Sequence, residues 1–312
     1  MSDKFAFVIL LALSLAVFSN CTQAQTMNGF DVSDALVPTD NIKQGGPPRD
    51  GIPSINDPKF ELPDEAGWLR DDDRVLGIKR NGVAKAYPIR IMDWHEVVND
   101  DFEEEPILVT WCPLCGSGMA FESEVGGSTL EFGVSGLLYN SDVLLFDRQT
   151  ESLWSQIGTK AITGDYQGET LNQIPMQHTS WGAWLEEHPE SKVLSRDTGH
   201  DRNYDRQPYA DYENQERLYF PVTDTDDRFD LKEWVMGITV DGHSKAYAFS
   251  ELQQTDSPFT DQIGSKEVTI TFDAENESAS AYDADGEPLS TLTAFWFAWY
   301  AFHPDTEVFE SD

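Results

Sequence analysis

Two cysteines, Cys112 and Cys115, have the residue type and spacing that could do chemistry in this chain. They enclose Pro113-Leu114 and follow an apolar run, Ile107 to Trp111, which predicts a strand. A disulfide across so short a loop would stabilise the fold by only about 2 kcal/mol, because it removes little entropy from the unfolded chain. The spacing therefore favours thiol–disulfide exchange or metal binding, with a structural disulfide as the third interpretation.

Thiol–disulfide exchange is helped by a lowered thiol pKa, which a CxxC pair obtains when a helix begins at its first cysteine. Here Gly116 and Gly118 follow at once, and each glycine costs a helix interior about 1 kcal/mol relative to alanine. An activating helix is therefore not expected. Exchange is possible without it, so Cys112, Cys115 and His95 are candidate catalytic residues. A thiol nucleophile assisted by His95 is a further alternative.

Metal binding requires more ligands than two thiolates supply. The sequence has no second CxxC pair, which excludes a zinc ribbon within one chain. His95 is a candidate third ligand and Met119 a soft fourth ligand. Cysteine, histidine and methionine together favour copper(I), whereas Cys112, Cys115, His95 and a water favour zinc. Copper and zinc are thus the candidate cofactors, and we expect the His95 ring within a few ångströms of both sulfurs.

The polar residues of the segment 140–148 are candidates for binding a cofactor or ligand: Asn140, Asp142, Asp147 and Arg148. We expect at least one of them to face the same cavity as the cysteines. The alternative is that the segment is structural, with Asn140 and Asp142 in turns and Asp147 paired with Arg148.

The elements that position these residues are indicated by an internal repeat. Residues 75–87 align without a gap on residues 235–247, each an alternating run on both sides of an Asn-Gly or Asp-Gly turn that predicts a β-hairpin. Residues 181–189 resemble 296–304, where two tryptophans three residues apart suit one face of a helix that ends before proline. His188 and His303 match each other here, so we interpret both as structural.

These patterns predict an α+β fold, mainly antiparallel β with a few helices, in two tandem related repeats packed together. The predicted boundaries are a signal peptide at 1–24, an extended acidic arm rich in proline and glycine at 25–57 and repeat one at 58–195. A tyrosine-rich connection at 196–230 and a shorter repeat two at 231–312 follow. Cys112, Cys115 and His95 have no counterpart in repeat two, which places the site in repeat one.

The charge of the chain limits its partners. It carries 56 acidic and 21 basic residues, a formal net charge of -35. So negative a surface repels phosphate, which excludes nucleic acid as an expected partner and disfavours anionic membranes. The expected partner is a small molecule, a metal ion or a redox protein, and the scattered carboxylates are typical of a salt-tolerant surface.

The N-terminus predicts export. Lys4 precedes an apolar run from Phe5 to Phe18 that is too short to span a membrane and has the length of a signal-peptide core. Cleavage after Ala24 would give a periplasmic or extracellular protein with no transmembrane span. A lipid anchor at Cys21 is the alternative.

Five sequence blocks resemble a known family. The similarity covers nearly all of the chain after the signal peptide and arm, and the family is the bacterial and archaeal one called domain of unknown function 3179. The blocks are Gly51–Phe60, Trp94-His-Glu-Val-Val-Asn-Asp100, Thr110-Trp-Cys-Pro-Leu-Cys-Gly116, Gly133-Val-Ser-Gly-Leu-Leu-Tyr-Asn-Ser-Asp142, and Asp147-Arg148 through Ser152-Leu-Trp-Ser-Gln156. The resemblance implies no reaction, cofactor or partner. It does imply that these blocks are the hallmark of the family, in line with a site at the cysteines.

The sequence thus predicts an exported protein that binds copper or zinc, or exchanges thiols and disulfides, through Cys112, Cys115 and His95. The alternative from a different class is a non-catalytic module that binds a ligand or protein and contains a structural disulfide.

Overall fold

The computed structural model describes residues 25–311. The predicted signal peptide and Cys21 lie outside the described residues. The described chain is mostly β-structure, with 40% strand and 10% helix, arranged as a five-blade β-propeller of small sheets. The prediction of an α+β fold made of two packed repeats is therefore wrong.

The strands are short. In the first half of the chain they are β1 (Thr26–Met27), β2 (Phe30–Asp31), β3 (Ile42–Gln44), β4 (Phe60–Glu61), β5 (Arg74–Arg80), β6 (Val83–Pro88), β7 (Val97–Phe102), β8 (Glu105–Cys112), β9 (Ser117–Glu122), β10 (Glu124–Val125), β11 (Ser128–Thr129), β12 (Phe132–Tyr139), β13 (Asp142–Asp147) and β14 (Leu153–Ser155). The others are β15 (Lys160–Ala161), β16 (Gln173–Ile174), β17 (Gln177–Ser180), β18 (Lys192–Leu194), β19 (Trp234–Val240), β20 (His243–Ala248), β21 (Phe259–Ile263), β22 (Lys266–Asp273), β23 (Ser278–Tyr282), β24 (Leu292–Phe295) and β25 (Glu307–Val308).

Among the described residues the helices are few and none is longer than seven residues, and this is one reason why the α+β prediction fails. They are α1 (Ile89–His95), α2 (Trp181–Glu187), α3 (Phe249–Leu252), α4 (Trp296–Phe302) and one 3-10 turn (Thr39–Asn41). Within residues 25–311, no helix has the length and apolar character needed to cross a membrane.

Five sheets of three or more strands form the blades. We number them by their main hairpins: the first blade has the order β17-β5-β6-β18-β4 and the second β16-β9-β8-β7. The third is β15-β14-β13-β12-β3, the fourth β24-β19-β20-β25 and the fifth β21-β22-β23. The cysteines lie at the end of β8 in the second blade, and Asp142 begins β13 in the third.

The matching sequence segments form matching hairpins in the first and fourth blades. Asn81-Gly82 and Asp241-Gly242 both have positive φ at both turn positions, as a two-residue type I′ turn requires. The registers agree, since Val75 pairs with Pro88 and Val235 with Ala248. The internal sequence repeat thus reflects two similar blades of one propeller, and not two separate repeats.

The same two blades bury a tryptophan over a glycine. The Trp184 ring of α2 covers Gly77 of β5, and the Trp299 ring of α4 covers Gly237 of β19, leaving no room for a side chain at either glycine. Each indole donates to a hydroxyl seven residues later, Ser191 in one case and Thr306 in the other. His188 and His303 each lie against the ring of the tryptophan four residues earlier.

Two segments predicted to lie outside the repeats are ordered against the blades. Residues 42–44 form β3, which pairs with β12, and Ile55 forms a bridge with Val98. In the 196–230 connection, Tyr204 and Tyr212 are only 3% and 1% exposed. Both segments therefore contribute to the core around the second and third blades.

Candidate functional site

The structure brings Cys112, Cys115 and Asp142 together. One ligand atom of each, two sulfurs and a carboxylate oxygen, lie within 4.8 Å of one another, and all three residues are buried. The two sulfurs are not joined in a disulfide. Asp142 is thus the member of the polar segment that faces the cysteines.

The cysteine loop is held by its own turn and by the fourth blade. Cys112 ends β8, and the Cys115 N–H donates to the Cys112 oxygen at 3.2 Å, which folds the loop back on itself. Gly116 then has a φ of +62°, and a Cβ there would come within 2.6 Å of the Trp234 ring. The Phe295 N–H donates to the Cys115 oxygen at 2.8 Å. The turn of the chain at Gly116 thus lets Trp234 and β24 close over the loop.

Asp142 is placed by a two-residue turn between β12 and β13. Asn140 and Ser141 both have positive φ, 53° and 65°, which is the type I′ geometry that joins two twisted strands. The Asn140 side chain donates to the Ala301 oxygen and accepts from the Thr223 N–H. The Ser141 backbone oxygen accepts from the Cys112 thiol at 3.7 Å. This turn therefore presents Asp142 directly to the sulfurs.

A buried polar network supports the two parts of the site. Gln156 donates to Thr110 Oγ1 at 2.8 Å and accepts from Ser117 Oγ at 2.8 Å, so it ties β8 to β9 next to the cysteine loop. The next residue, Ile157, donates its N–H to Asp142 Oδ2 at 2.9 Å. Residues 156–157 thus fix the position of the Asp142 carboxylate relative to the β8–β9 hairpin that carries the cysteines. Gln156 is the last residue of the fifth sequence block that resembles the family. That block is the sequence feature that could have indicated this supporting role.

Burial dominates the electrostatics of the cluster. It raises the pKa of the Cys112 thiol and raises that of Cys115 further above its ordinary value. Burial also raises the pKa of Asp142 to about 7, although backbone N–H groups oppose this shift. The second carboxylate oxygen, Oδ1, is buried and has no hydrogen-bond partner within residues 25–311. The three acidic groups therefore hold their protons more tightly than they would in water.

Two further acids, Asp93 and Glu96, lie in the same region and were not among the predicted site residues. Burial raises the pKa of Glu96 to about 8, and the nearby carboxylates of Asp93 and Asp142 add to the shift. Burial raises the pKa of Asp93 to about 7, partly offset by a hydrogen bond from Trp111. No ion pair formed by residues 25–311 includes Asp93, Glu96 or Asp142.

Glu96 is directed to this region by an unusual backbone conformation. It follows the last residue of α1 in the left-handed region, with a φ of 57°. Its oxygen accepts from the Trp111 N–H at 2.8 Å, next to Cys112. Non-glycine residues in this region are uncommon and concentrate at functional sites. Glu96 lies in the family-like block Trp94–Asp100. The sequence did not indicate that its side chain, and not that of His95, lies near the cysteines.

His95 does not join the cluster, which corrects the expected geometry. Its Nδ1 bonds the Pro53 oxygen and its Nε2 bonds the Tyr204 hydroxyl, both at 2.7 Å. Tyr204 packs in one apolar cluster with Val109 and Trp111, whereas Cys112 packs in another. Alternate residues of a strand point to opposite faces, so the imidazole and the thiols lie on different sides of β8.

The burial of His95 predicts an acid-sensitive contribution to stability. Burial lowers its pKa to about 4, below the 6.5 of an exposed histidine. As the pH falls, the unfolded chain takes up the proton first, so stability is full above about pH 6.5 and is lost toward about pH 4. Between pH 7 and roughly pH 4.5, we expect wild type to lose about 2 kcal/mol more unfolding free energy than His95→Gln. Chemical denaturation at both pH values measures this, and equal losses in the two proteins would contradict it.

The remaining predicted residues lie away from the sulfurs or in the core. Asp147 accepts from Thr150 and from the Trp154 indole, and Arg148 pairs with Asp50 and Glu131 rather than with Asp147. Met119 is buried in the same apolar cluster as Cys112. Asn140 supports the turn, as described above. These contacts are structural, and the structure does not bring Asp147 or Arg148 to the cysteines.

The tyrosine-rich connection covers the cluster. Tyr212 is buried, and its hydroxyl has no hydrogen-bond partner among the described residues. Burial raises the pKa of Tyr212, and the two cysteines add to the shift because they lie close by. The Lys232 Nζ lies 3.4 Å from the centre of the Tyr212 ring. It also donates to backbone oxygens of the same segment, including that of Tyr212. The connection is thus tied down where it passes the site.

Comparison with known proteins identifies the family of the chain. The model of a family described as a protein of unknown function (DUF3179) matches residues 49–306. Neither the curated proteins nor the solved structures contain a match to the chain. The matched region includes the cysteine loop, Asp142 and the residues that support them.

Proposed function

This chain belongs to the DUF3179 family, and we propose from the geometry of its own residues that it binds one metal ion through Cys112, Cys115 and Asp142. Zinc is the ion that we propose. The observation that carries the proposal is the group of buried acids without a positively charged partner.

Buried acids of this kind either keep their protons and stay neutral, or ionise and need a cation to compensate their charge. Cys112, Cys115, Asp142, Glu96 and Asp93 can all release protons, yet no lysine or arginine pairs with the three carboxylates in the described chain. Buried charge is normally paired or bound to a metal. A divalent cation would replace the thiol protons, neutralise the thiolates and give Asp142 Oδ1 a partner. This supports a metal site more than a purely structural cluster.

The donor set favours zinc over copper(I). Zinc accepts thiolate sulfur and carboxylate oxygen together, whereas copper(I) prefers soft ligands. Atoms bound to one tetrahedral zinc lie roughly 3.3 to 3.8 Å apart, given bonds of about 2.0 to 2.3 Å. The three ligand atoms already lie within 4.8 Å of one another, so small side-chain rotations would suffice. Three protein ligands would leave a fourth position for water or another molecule.

Thiol–disulfide chemistry is the second candidate. It is favoured by the proximity of the two sulfurs to each other and to a carboxyl whose pKa of about 7 suits proton transfer. However, Cys112 and Cys115 are 1% and 0% exposed, and burial raises the pKa of both thiols. A disulfide of another protein could not reach such sulfurs without a change in structure. Metal binding is therefore the better-supported function.

A metal titration tests the proposal. Protein purified without a metal-affinity tag, reduced and freed of metal with a chelator, should bind one zinc per chain and release protons as it does so. Cobalt(II) in place of zinc should give a thiolate-to-metal charge-transfer band. Binding of less than about one-tenth equivalent of zinc, together with reversible oxidation of the two thiols, would overturn the proposal in favour of redox chemistry.

A further inference from the structure

A second feature of the molecule is a cavity of about 300 Å³ at the place where four blades meet. Its wall includes Arg74 and His178 of the first blade, Trp111 of the second, Trp234 of the fourth and Glu277 of the fifth. Pro113 and Gly116 of the cysteine loop also line it, whereas the two sulfurs do not. Central positions between blades and sheets are common places for small-molecule sites.

The wall of the cavity is largely aromatic. His178 lies between Trp111 and Trp234, with ring centroids 5.5 Å from each and interplanar angles of 82° and 81°. Phe295 packs against Trp234, with centroids 4.4 Å apart. Tyr209 and Tyr212 complete this side of the wall. His178 Nδ1 is buried and has no hydrogen-bond partner among the described residues, so packing against the two indoles holds the imidazole in place.

Both indole N–H groups are turned toward carboxylates. Trp111 Nε1 donates to Asp93 Oδ1 at 2.9 Å, and Trp234 Nε1 donates to Glu213 Oε1 at 2.8 Å. These bonds hold the two rings in place and put two acids at the cavity wall. The same acids would be partners for a positive charge held next to the rings.

The charges that line the cavity have an acidic excess. Some of them pair with each other: Arg70 with Asp72 and Asp73, and Arg90 with Asp73. Asp93, Glu213 and Glu277 then remain against Arg74. The Arg74 guanidinium donates to the backbone oxygens of Asn276, His178 and Glu277, so most of its donors are occupied and an anion would find few free. The net charge of -35 also attracts cations and repels anions.

We propose that this cavity binds a small organic cation, an alkylated ammonium compound, against the aromatic wall formed by Trp111, Trp234 and the neighbouring tyrosines. Aromatic rings attract such ions through the negative charge at their faces, and the adjacent Asp93 and Glu213 add a Coulombic attraction. A volume of about 300 Å³ admits a compound of choline size. The proposal does not depend on the metal site.

Calorimetry with matched probes tests the proposal. The probes are choline, its uncharged isostere 3,3-dimethylbutan-1-ol, and benzoate. We expect choline to bind at one site, the isostere to bind roughly tenfold more weakly, and benzoate not to bind. Equal binding of choline and the isostere would overturn the proposal in favour of a merely apolar cavity. Preferred binding of benzoate, or no binding of choline, would also overturn it.

Two variants locate the binding in this cavity. Glu213→Gln removes the charge and keeps an acceptor for the Trp234 indole, so the fold should be retained while choline binds several-fold more weakly. Trp234→Leu should abolish measurable binding if it folds. Trp68→Phe is the control, because Trp68 donates to Glu61 outside the cavity. An unchanged choline affinity in Glu213→Gln would contradict the proposal.

Binding of the metal ion and binding of the organic cation can be tested separately. Choline titrations are repeated on Cys112→Ser without metal, where Trp111, Trp234 and Glu213 are unchanged. Retained choline binding would support a cavity that works independently of the metal. Its loss in this folded variant would contradict that inference without bearing on zinc binding by the wild type.

Discussion

Replacing Cys115 with serine is expected to lower the zinc affinity of the protein by at least about a hundredfold, since loss of groups that merely support a metal ligand already costs 10- to 100-fold. Cys115 is fully buried and near both Cys112 and Asp142, so no exposed group can take its place. Serine keeps the approximate size of the side chain but is a poor zinc ligand at neutral pH. Competition with a chromophoric chelator measures the change, and circular dichroism checks that the variant is folded.

Two further variants make this result specific. Asp142→Asn removes the carboxylate but keeps an oxygen that can accept from the Ile157 N–H, and we expect it to lower zinc affinity as well. Met119→Leu is the matched control, because it changes a buried residue of the same apolar cluster with little change in volume. Wild-type affinity in Cys115→Ser, or an equal loss in Met119→Leu, would count against the proposed ligand set.

Adding one methyl group at Gly77 is expected to destabilise the protein by about 3 kcal/mol or more. A Cβ at this position would overlap the Trp184 ring, which is buried and held by its hydrogen bond to Ser191. The ring cannot move without losing that bond, and β5 cannot move without breaking its pairing with β6 and β17. Urea denaturation of Gly77→Ala measures the loss of unfolding free energy.

Gly67 supplies the matched control. A Cβ there would meet no atom within 4 Å, and its φ is not in the left-handed region. Gly67→Ala should therefore change the unfolding free energy by no more than about 0.5 kcal/mol. The double variant Gly77→Ala with Trp184→Phe should lose less than the sum of the two single variants, because a smaller ring relieves the overlap. Additive losses would show that the overlap is not the cause.

The hairpins could be read from the sequence, but their assembly could not. Asn81-Gly82 and Asp241-Gly242 determine their turns locally, and alternation of apolar residues sets the strands on either side. The way in which five small sheets pack depends on long-range contacts such as Trp234 on Gly116. The tryptophan pairs were correctly taken as helical, yet those helices are only seven residues long and leave the fold mostly β.

The candidate site was found in part. The CxxC spacing identified both cysteines, and the polar segment contained Asp142, although nothing in the sequence ranked it above Asp147 or Arg148. His95 was predicted as a ligand, whereas Glu96, the residue after it, was not among the candidates. The left-handed backbone at Glu96 directs the glutamate toward the cysteines and leaves the His95 ring to Pro53 and Tyr204. Residue types alone do not predict which of two neighbouring side chains points toward the cysteines.

The hydrogen bond from the Phe295 N–H to the Cys115 oxygen has a consequence for the order of folding. The two residues are 180 positions apart (295 minus 115), and Tyr212 lies between them in the chain. Contacts of such sequence separation form late, because a long loop must close before they are made. Until β24 arrives, we expect the cysteine loop of a partly folded chain to lack this cover, so that its thiols are more exposed than in the folded protein. A chain still being synthesised should therefore react faster with a thiol-alkylating reagent than the completed propeller, in which both cysteines are buried.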